Sequence, residues 1–374
     1  MKKGILVILG LILILVAMPL LAACAQQAPA PAPAPSPKAK PAPAPTPAPK
    51  PAPAPAASQD KITWIMQSFA AAGSIDFDIQ IDLYNKVSDL TNGQFTIELH
   101  PIETFVGYAD MLEAEGDRIF DAGINYAPLF KGLDAGASLL GGLPGVWENP
   151  EQIRIWMDHF GGAQLYEKFY AKYNVKYIDV MNGAPEPIWS KTKLATFEDF
   201  AGVKIRTPSG LTHYLFEEMG AVPTSLSGSE IYSALDTGLI DAAEFLSVAT
   251  CVDLGFHEVT DYVLFPSFHA SAGANDVSVN MDAWNELPDQ YRAAFSIVSR
   301  ALDREIVDGT VAASYEALNT AVDSGVTHTS SSADLLAKTR TIGVDGFKAE
   351  GEKSVFAAEI VESVEAYLEF TGKM

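Results

Sequence analysis

Apolar and polar residues alternate with two different periods along this chain, and the changes of period predict strands followed by helices. Residues 61–67 alternate as a half-buried strand does, and residues 76–90 have the spacing of an amphipathic helix. Further strands are predicted near residues 95–99, 119–124, 175–181, 203–206, 239–244 and 276–280. Strands that alternate with helices indicate wound α/β sheets that are mostly parallel.

One predicted helix is much longer than the others. From Pro288 to about Val322 apolar residues recur near helical spacing, which gives a helix of ~50 Å at 1.5 Å per residue. The chain after residue 59 has about 315 residues, more than one hydrophobic core supports, so two lobes are expected. A helix of this length could brace both lobes, and Gly309 is a candidate point for a kink.

The N-terminus has the pattern of an exported protein. Lys2 and Lys3 precede an unbroken apolar run from residue 4 to residue 23, and the sequence then reads Leu-Ala-Ala-Cys up to Cys24. Twenty apolar residues could also span a bilayer as a retained anchor. The small residues before Cys24 resemble a bacterial lipobox and favour a signal peptide over residues 1–23, with Cys24 as the lipid-attachment residue.

The segment that follows, residues 24–59, is a Pro/Ala-rich tract. It holds 13 of the 24 prolines, at nearly every second position. Such a composition cannot build a packed core and favours extended polyproline II. At ~3.1 Å per residue the tract could reach on the order of 90 Å, so we interpret it as a tether between the lipid anchor and the folded receptor.

Charge and cysteine content narrow the class of ligand. The formal net charge of −22 excludes nucleic-acid binding, which needs a basic face, and binding to anionic lipid head groups by charge. It does not exclude a small anionic ligand, because surface charges are screened beyond ~8–10 Å. Apart from Cys24 the sequence has only Cys251, so it has neither a disulfide framework nor a cysteine metal motif.

Residues 202–245 carry the most informative pattern, a strand, helix, turn, strand, helix and strand in succession. Arg206 ends the first of these strands, and Glu244 and Phe245 end the last. Ligands of open α/β sheets bind beyond the carboxyl ends of the strands, so these residues point at one crevice. A guanidinium matches a carboxylate with two parallel hydrogen bonds. Arg206 is therefore a candidate for carboxylate binding, and the alternative is an arginine in a surface ion pair.

The same block resembles the solute receptors of TRAP (tripartite ATP-independent periplasmic) transporters of the DctP type. The resemblance rests on KIRTP, GAVP, EIYSAL and GLIDAAE in this order, and it extends from residue 60 to about 345. In that family an arginine at the position of Arg206 holds the substrate carboxylate. The resemblance implies an α/β fold of two lobes, periplasmic-binding-protein-like (a Venus flytrap), bridged by the long helix. Lobe I would hold residues 60–183 plus 272–311, and lobe II residues 184–271 plus 312–374.

The resemblance also bears on metal binding. Receptors of this family for 2-oxo acids and lactate carry Glu-Trp where this chain has Glu244 and Phe245, and a metal ion bridges protein and ligand there. They also place a glutamine, a further metal ligand, at the position that falls on Ala184 here. We therefore predict no metal and no other cofactor. His269, in FPSFH, resembles a Pro-Gly-Trp-His segment of the same receptors.

Several other residues end predicted strands or follow them, where the crevice should lie. Taken singly, each fits core packing as well as ligand contact, but a largely apolar site with a few polar anchors is what a set of this kind would form. The additional candidates for substrate binding are Gln67, Ser68, Tyr126, Asn182 and Trp189.

These patterns favour a receptor over an enzyme. The sequence lacks HExxH, GxGxxG and GK[ST], and residues 136–141 have one residue too many for GxSxG. We expect a lipid-anchored receptor on the extracytoplasmic (periplasmic) face that delivers an organic acid to a small and a large membrane subunit. The alternatives are an ABC-type or chemoreceptor-linked binding lipoprotein and, further off, a secreted hydrolase.

Overall fold

The computed structural model of this protein describes residues 61–208 and 210–374. The predicted signal peptide, Cys24 and the Pro/Ala tether lie outside these residues, and so stay predictions. None of the helices in the described ranges combines the length and apolar character needed to cross a membrane. The described residues form one compact unit.

Two separate sheets divide the described chain, as the predicted two-lobed α/β fold requires. The first sheet has five strands in the order β2-β1-β3-β10-β4. Strands β1, β2 and β3 are parallel, and β10 runs antiparallel to both of its neighbours. Its strands are β1 (Ile62–Gln67), β2 (Phe95–His100), β3 (Ala122–Asn125), β4 (Val175–Asn182) and β10 (Ala274–Asn280).

The second sheet has six short strands in the order β11-β9-β5-β8-β6-β7, of which β5 alone is antiparallel to its neighbours. The chain passes between the sheets just after β4 and just before β10, where the Gly183 nitrogen donates to the Gly273 carbonyl at 2.7 Å. The strands are β5 (Ile188–Ser190), β6 (Lys204–Arg206), β7 (Val222–Thr224), β8 (Ala242–Glu244), β9 (Tyr262–Leu264) and β11 (Thr327–Thr329).

Helices cover the sheets, and side chains cap several of their first turns. Asn149 Oδ1 accepts from the Gln152 nitrogen at 3.1 Å, and Ser354 Oγ accepts from the Ala357 nitrogen at 3.0 Å. The helices are α1 (Ile75–Leu90), α2 (Met111–Gly116), α3 (Pro150–His159), α4 (Gly162–Tyr170), α5 (Leu211–Glu218), α6 (Gly228–Thr237), α7 (Val248–Asp253), α8 (Phe256–Val259), α9 (Met281–Glu286), α10 (Asp289–Asp323), α11 (Ala333–Gly351) and α12 (Val355–Phe370).

Helix α10 is the predicted bridge. Its first half, including Phe295 and Leu302, packs in the apolar cluster of the first sheet, and Leu318 packs in a cluster of the second. The helix continues through Gly309 over 35 residues. A Cβ at Gly309 would lie 2.6 Å from Ile79 Cδ1, so the glycine serves the close approach of α1 and does not end the helix.

The C-terminal part departs from the expected division. Residues 312–374 were assigned to lobe II, but Ile360 and Leu368 of α12 are buried in the cluster that contains α3 and α4, on the side of the first sheet. Helix α11 joins the lobes, with Leu335 in a cluster of the second sheet and Phe347 in that of α12. Helical periodicity identifies an apolar face but not the surface that covers it.

One face of the first sheet carries buried carboxyl groups away from the predicted crevice residues. Glu115 Oε2 accepts hydrogen bonds from Ser278 Oγ at 2.7 Å and Asn125 Nδ2 at 3.0 Å. Tyr170 Oη donates to Asp276 Oδ1 at 2.9 Å. Burial raises the pKa of Glu115 to about 8 and that of Asp276 to about 7, and hydrogen bonds oppose part of each shift.

These two groups predict a pH dependence of stability. Between pH 5 and 8 the folded protein keeps protons that the unfolded chain has lost, so the free energy of unfolding falls as pH rises through 7 to 8. Each group contributes about 1.4 kcal/mol per pH unit between its unfolded and its folded pKa, so the contribution of Asp276 ends near pH 7 and that of Glu115 near pH 8. Urea unfolding from pH 5 to 9 measures the slope. Glu115→Gln should reduce the slope of the unfolding free energy against pH. Asp82→Asn, at an exposed position on α1, is the control and should leave the slope unchanged. Equal slopes for the wild type and both variants would contradict the prediction.

Candidate functional site

Arg206 stands at the carboxyl end of β6 with its guanidinium held by the protein. Its Nη1 donates to Glu244 Oε1 at 2.8 Å and to the Glu244 carbonyl at 2.9 Å, and its Nε donates to the Leu226 carbonyl at 3.1 Å. The guanidinium carbon lies 5.1 Å from the ring centroid of Phe245. Among the described residues Nη2 has no hydrogen-bond partner, so it is the guanidinium nitrogen that remains available to a ligand.

Glu244, at the end of β8, is the centre of a small charged group. Its Oε2 lies 3.2 Å from His269 Nε2, and the other ring nitrogen, Nδ1, lies 2.5 Å from Ser267 Oγ. Glu186 Oε2 lies 3.7 Å from His269 Nε2. One donor atom from each of Glu186, Glu244 and His269 lies within 4.8 Å of the others. We call these three residues and Arg206 the charged group.

The protonation states follow from burial and neighbouring charge. Burial alone would lower the pKa of His269, but the hydrogen bonds and charges of Glu186 and Glu244 outweigh it and raise this pKa to about 9. Burial also acts on Glu244, yet His269 and Arg206 hold the pKa of that carboxyl below its ordinary value. For Glu186, burial and the charge of Glu244 raise the pKa to about 7 against the pull of His269. At neutral pH His269 is therefore an imidazolium and Glu244 a carboxylate.

Tyr126 comes to the same place from the first sheet. It follows β3, is half-buried, and its ring centroid lies 5.7 Å from that of Phe69. Burial and the charges of Glu186 and Glu244 raise the pKa of its hydroxyl. The structure thus brings Arg206, Glu244, Phe245, His269 and Tyr126 together out of the predicted set.

Gln67 and Ser68 are buried and engaged within the first sheet's lobe. Gln67 Nε2 donates to the Val106 carbonyl at 3.0 Å, and its Oε1 accepts from the Phe105 nitrogen at 2.8 Å. Ser68 Oγ donates to Gln80 Oε1 at 2.6 Å. These contacts hold the loop before α2 and the start of α1, a structural role, and ligand contact by either residue stays a prediction.

Asn182 and Trp189 are also fully buried. The Asn182 nitrogen and Nδ2 both donate to Asp303 Oδ1, at 2.7 and 2.8 Å, which ties the end of β4 to α10. Trp189 lies in the apolar cluster behind the second sheet with Val263. Their positions favour packing over direct contact with a ligand.

Glu186 is the site residue that sequence reasoning did not single out. It lies in the irregular segment between β4 and β5, fixed by the bond from its nitrogen to the Ala270 carbonyl at 2.9 Å. No periodicity marks such a segment. The only signal was an acidic residue between Pro185 and Pro187 in a crossing between lobes, and its distance to His269 depends on the fold.

Comparison with known proteins decides the family. The profile of the family described as "Bacterial extracellular solute-binding protein, family 7" (DctP) matches residues 68–343. The chain belongs to this family. Its members are substrate-binding receptors, and the prediction of a TRAP-type solute receptor is confirmed.

Individual relatives agree over most of the receptor. A monocarboxylate 2-oxoacid-binding periplasmic protein of Nostoc is 26% identical over 283 residues, which is 75% of this chain and 77% of the relative. The sialic acid-binding protein SiaP of Vibrio cholerae is 24% identical over 237 residues, 63% of this chain and 71% of SiaP. An apo, open TRAP solute-binding protein of Rhodobacter sphaeroides has a TM-score of 0.75 and 30% identity, covering 83% of this receptor and 99% of its own chain. The predicted two-lobed fold is therefore confirmed.

Proposed function

We propose that this receptor captures a small organic acid and that Nη2 of Arg206 donates to the ligand carboxylate. The observation that carries the proposal is a nearly buried guanidinium, 11% exposed, with one arm unused at the carboxyl end of a strand. The relatives of Nostoc and Vibrio cholerae are named for the acids that they bind. Because Nη1 of Arg206 already donates to Glu244, the ligand carboxylate is bound by Nη2. This differs from the two parallel hydrogen bonds that were predicted from the sequence.

The charges of the site suit a ligand carboxylate. Arg206 and His269 carry two positive charges against the one negative charge of Glu244, and the raised pKa of Glu186 lets that residue be neutral. Submicromolar affinity needs about −8 to −9 kcal/mol, and a hydrogen bond to a charged group contributes ~1.5–3 kcal/mol. Burial of apolar ligand surface, with Phe245 as one wall, must contribute much of the remainder.

A resident metal ion fits this site poorly. Related TRAP receptors from Colwellia psychrerythraea and Pseudoalteromonas atlantica contain calcium or sodium together with pyruvate. Such cations prefer oxygen ligands, which Glu186 and Glu244 could offer. Here, however, both Glu244 oxygens already accept hydrogen bonds from Arg206 and His269, and the third donor is an imidazole nitrogen, a ligand type that suits transition metals better than calcium or sodium. We therefore keep the assignment of no cofactor.

A thermal-shift screen of residues 58–374 against organic acids tests the proposed function. A ligand at a hundredfold excess over its dissociation constant stabilises the folded state by ~2.7 kcal/mol and raises the melting temperature. Sugars, polyols and amines serve as comparison solutes. A shift with an acid supports the proposal, and shifts that occur only with uncharged solutes or amines would refute it.

Anchoring and delivery complete the proposal. Lipid at Cys24 and the Pro/Ala tether would hold the receptor at the extracytoplasmic face, near the small and large membrane subunits that it supplies. Closure of the two lobes around the ligand requires tighter binding to the closed form than to the open one. Fatty-acid labelling that Cys24→Ser fails to remove would contradict the anchor.

A further inference from the structure

Glu186 has no assigned part in holding a carboxylate, yet it lies within reach of one. Its side chain is 27% exposed, and its Oε2 lies 3.7 Å from His269 Nε2. One of its oxygens is within 4.8 Å of a Glu244 oxygen, and Glu244 Oε1 lies 2.8 Å from Arg206 Nη1. A small molecule gripped by Arg206 therefore presents its neighbouring atoms to Glu186.

We propose that the ligand carries a hydrogen-bond donor, a hydroxyl or an ammonium group, next to its carboxylate, and that Glu186 selects for this donor. The inference rests on the proposed binding of an organic acid. It adds a chemical class, 2-hydroxy or 2-amino acids, and a residue that determines specificity.

The argument turns on which atoms would face each other. A 2-oxo acid places a carbonyl oxygen, an acceptor only, beside its carboxylate. In this site that oxygen would face the oxygens of Glu186 and Glu244, and two sets of acceptors need a cation or a proton between them. A bridging metal would have to share both oxygens of Glu244 with Arg206 and His269.

A ligand with an O–H or N–H at this position needs no mediator. The donor bonds directly to a Glu186 oxygen, because a carboxyl group keeps acceptor capacity in both its ionised and its protonated form. A site built to accept from a ligand hydroxyl or amine also disfavours the analogue that lacks it, because the acceptor is left unpaired once the bound ligand covers it.

Matched sets of acids test this directly. Each set contains the 2-hydroxy, 2-amino and 2-oxo acid of one carbon skeleton, and titration calorimetry measures binding to residues 58–374 in buffer with EDTA, for several skeletons. We expect the hydroxy or amino acid to bind at least about tenfold more tightly than the oxo acid of the same set. Glu186→Gln should reduce that ratio to about twofold or less, because its amide can donate to a carbonyl as well as accept.

Controls separate specificity from folding and from the proposed function. Glu217→Gln, at an exposed position on α5, should leave the ratio unchanged, and melting temperatures show whether each variant is folded. Oxo acids that bind equally well, or that bind only with added calcium or only on acidification, would overturn the inference while the organic-acid function stands. A preference that persists in Glu186→Gln overturns the assignment to Glu186. Binding of no acid of any class refutes the proposed function itself.

Discussion

Arg206→Met is expected to weaken binding of the organic acid by at least about a hundredfold. The substitution keeps an unbranched apolar stem but removes the cation, so the carboxylate loses its donor in a site from which water is largely excluded. Truncating one partner of a buried charged pair costs ~3–5 kcal/mol, which corresponds to a factor of about 10² to 4 × 10³ in affinity. Titration calorimetry with the acid identified in the thermal screen measures the effect.

The design must separate binding from folding, because Arg206 also neutralises Glu244 within the protein. Arg206→Met alone should lower the melting temperature, and the double variant Arg206→Met, Glu244→Gln should recover part of it by removing the unpaired charge. The double variant should still fail to bind. Arg304→Met, at an exposed arginine of α10, is the matched control with wild-type affinity. Tight binding by the double variant would place the carboxylate grip elsewhere.

A chain that ends after Ser354 is expected not to fold. The deletion removes α12, whose buried residues fill the cluster formed with α3 and α4, and Ser363 Oγ also accepts from Trp156 Nε1 at 2.9 Å. Removing one buried Leu, Ile or Phe side chain costs ~2–5 kcal/mol, whereas a whole domain is stable by only ~5–15 kcal/mol. The buried residues that are lost with α12 are Phe356, Ala357, Ile360, Val364, Tyr367 and Leu368.

Soluble yield and near-ultraviolet circular dichroism measure this outcome. Val355→Ser is a suitable control, since this side chain is exposed on the same helix, at 80%. Such surface changes usually stay within about 0.5 kcal/mol. A truncated protein with the cooperative unfolding and melting temperature of the full chain would show that α12 does not contribute to the core.

Elements with many periods could be predicted from the sequence, whereas four of the three-residue strands could not. The helix predicted over residues 76–90 is observed as α1, and α10 matches its predicted range within a residue or two. By contrast β5, β7, β9 and β11 have three residues each, which is less than two periods of alternation. They exist because neighbouring strands of the second sheet pair with them, and that pairing is not written in the local pattern.

The site divides in the same way. Arg206 and Glu244 could be predicted because both end strands, and strand ends on one edge of a sheet converge. The ion pair between Arg206 and Glu244 engages Nη1, so that this nitrogen is not available to a ligand. This pair could be recognised only from the register of β6 against β8. The place of Glu186 in the site could be recognised only from the path of the chain between the lobes. The sequence shows that α12 has an apolar face, but only the structure shows that this face covers a surface of the first lobe.

Helix α10 is fastened at three points, and this has a mechanical consequence. Its first half is packed on the first sheet, Asp303 is bonded to Asn182 beside the crossing at Gly183, and Leu318 is packed on the second sheet. Any swing of one lobe about the crossing must therefore bend the helix between Asp303 and Leu318. The bent helix then stores elastic energy. Its elastic energy opposes closure, so a ligand binds more weakly than its contacts alone would allow, and the same energy helps to reopen the receptor when the ligand leaves.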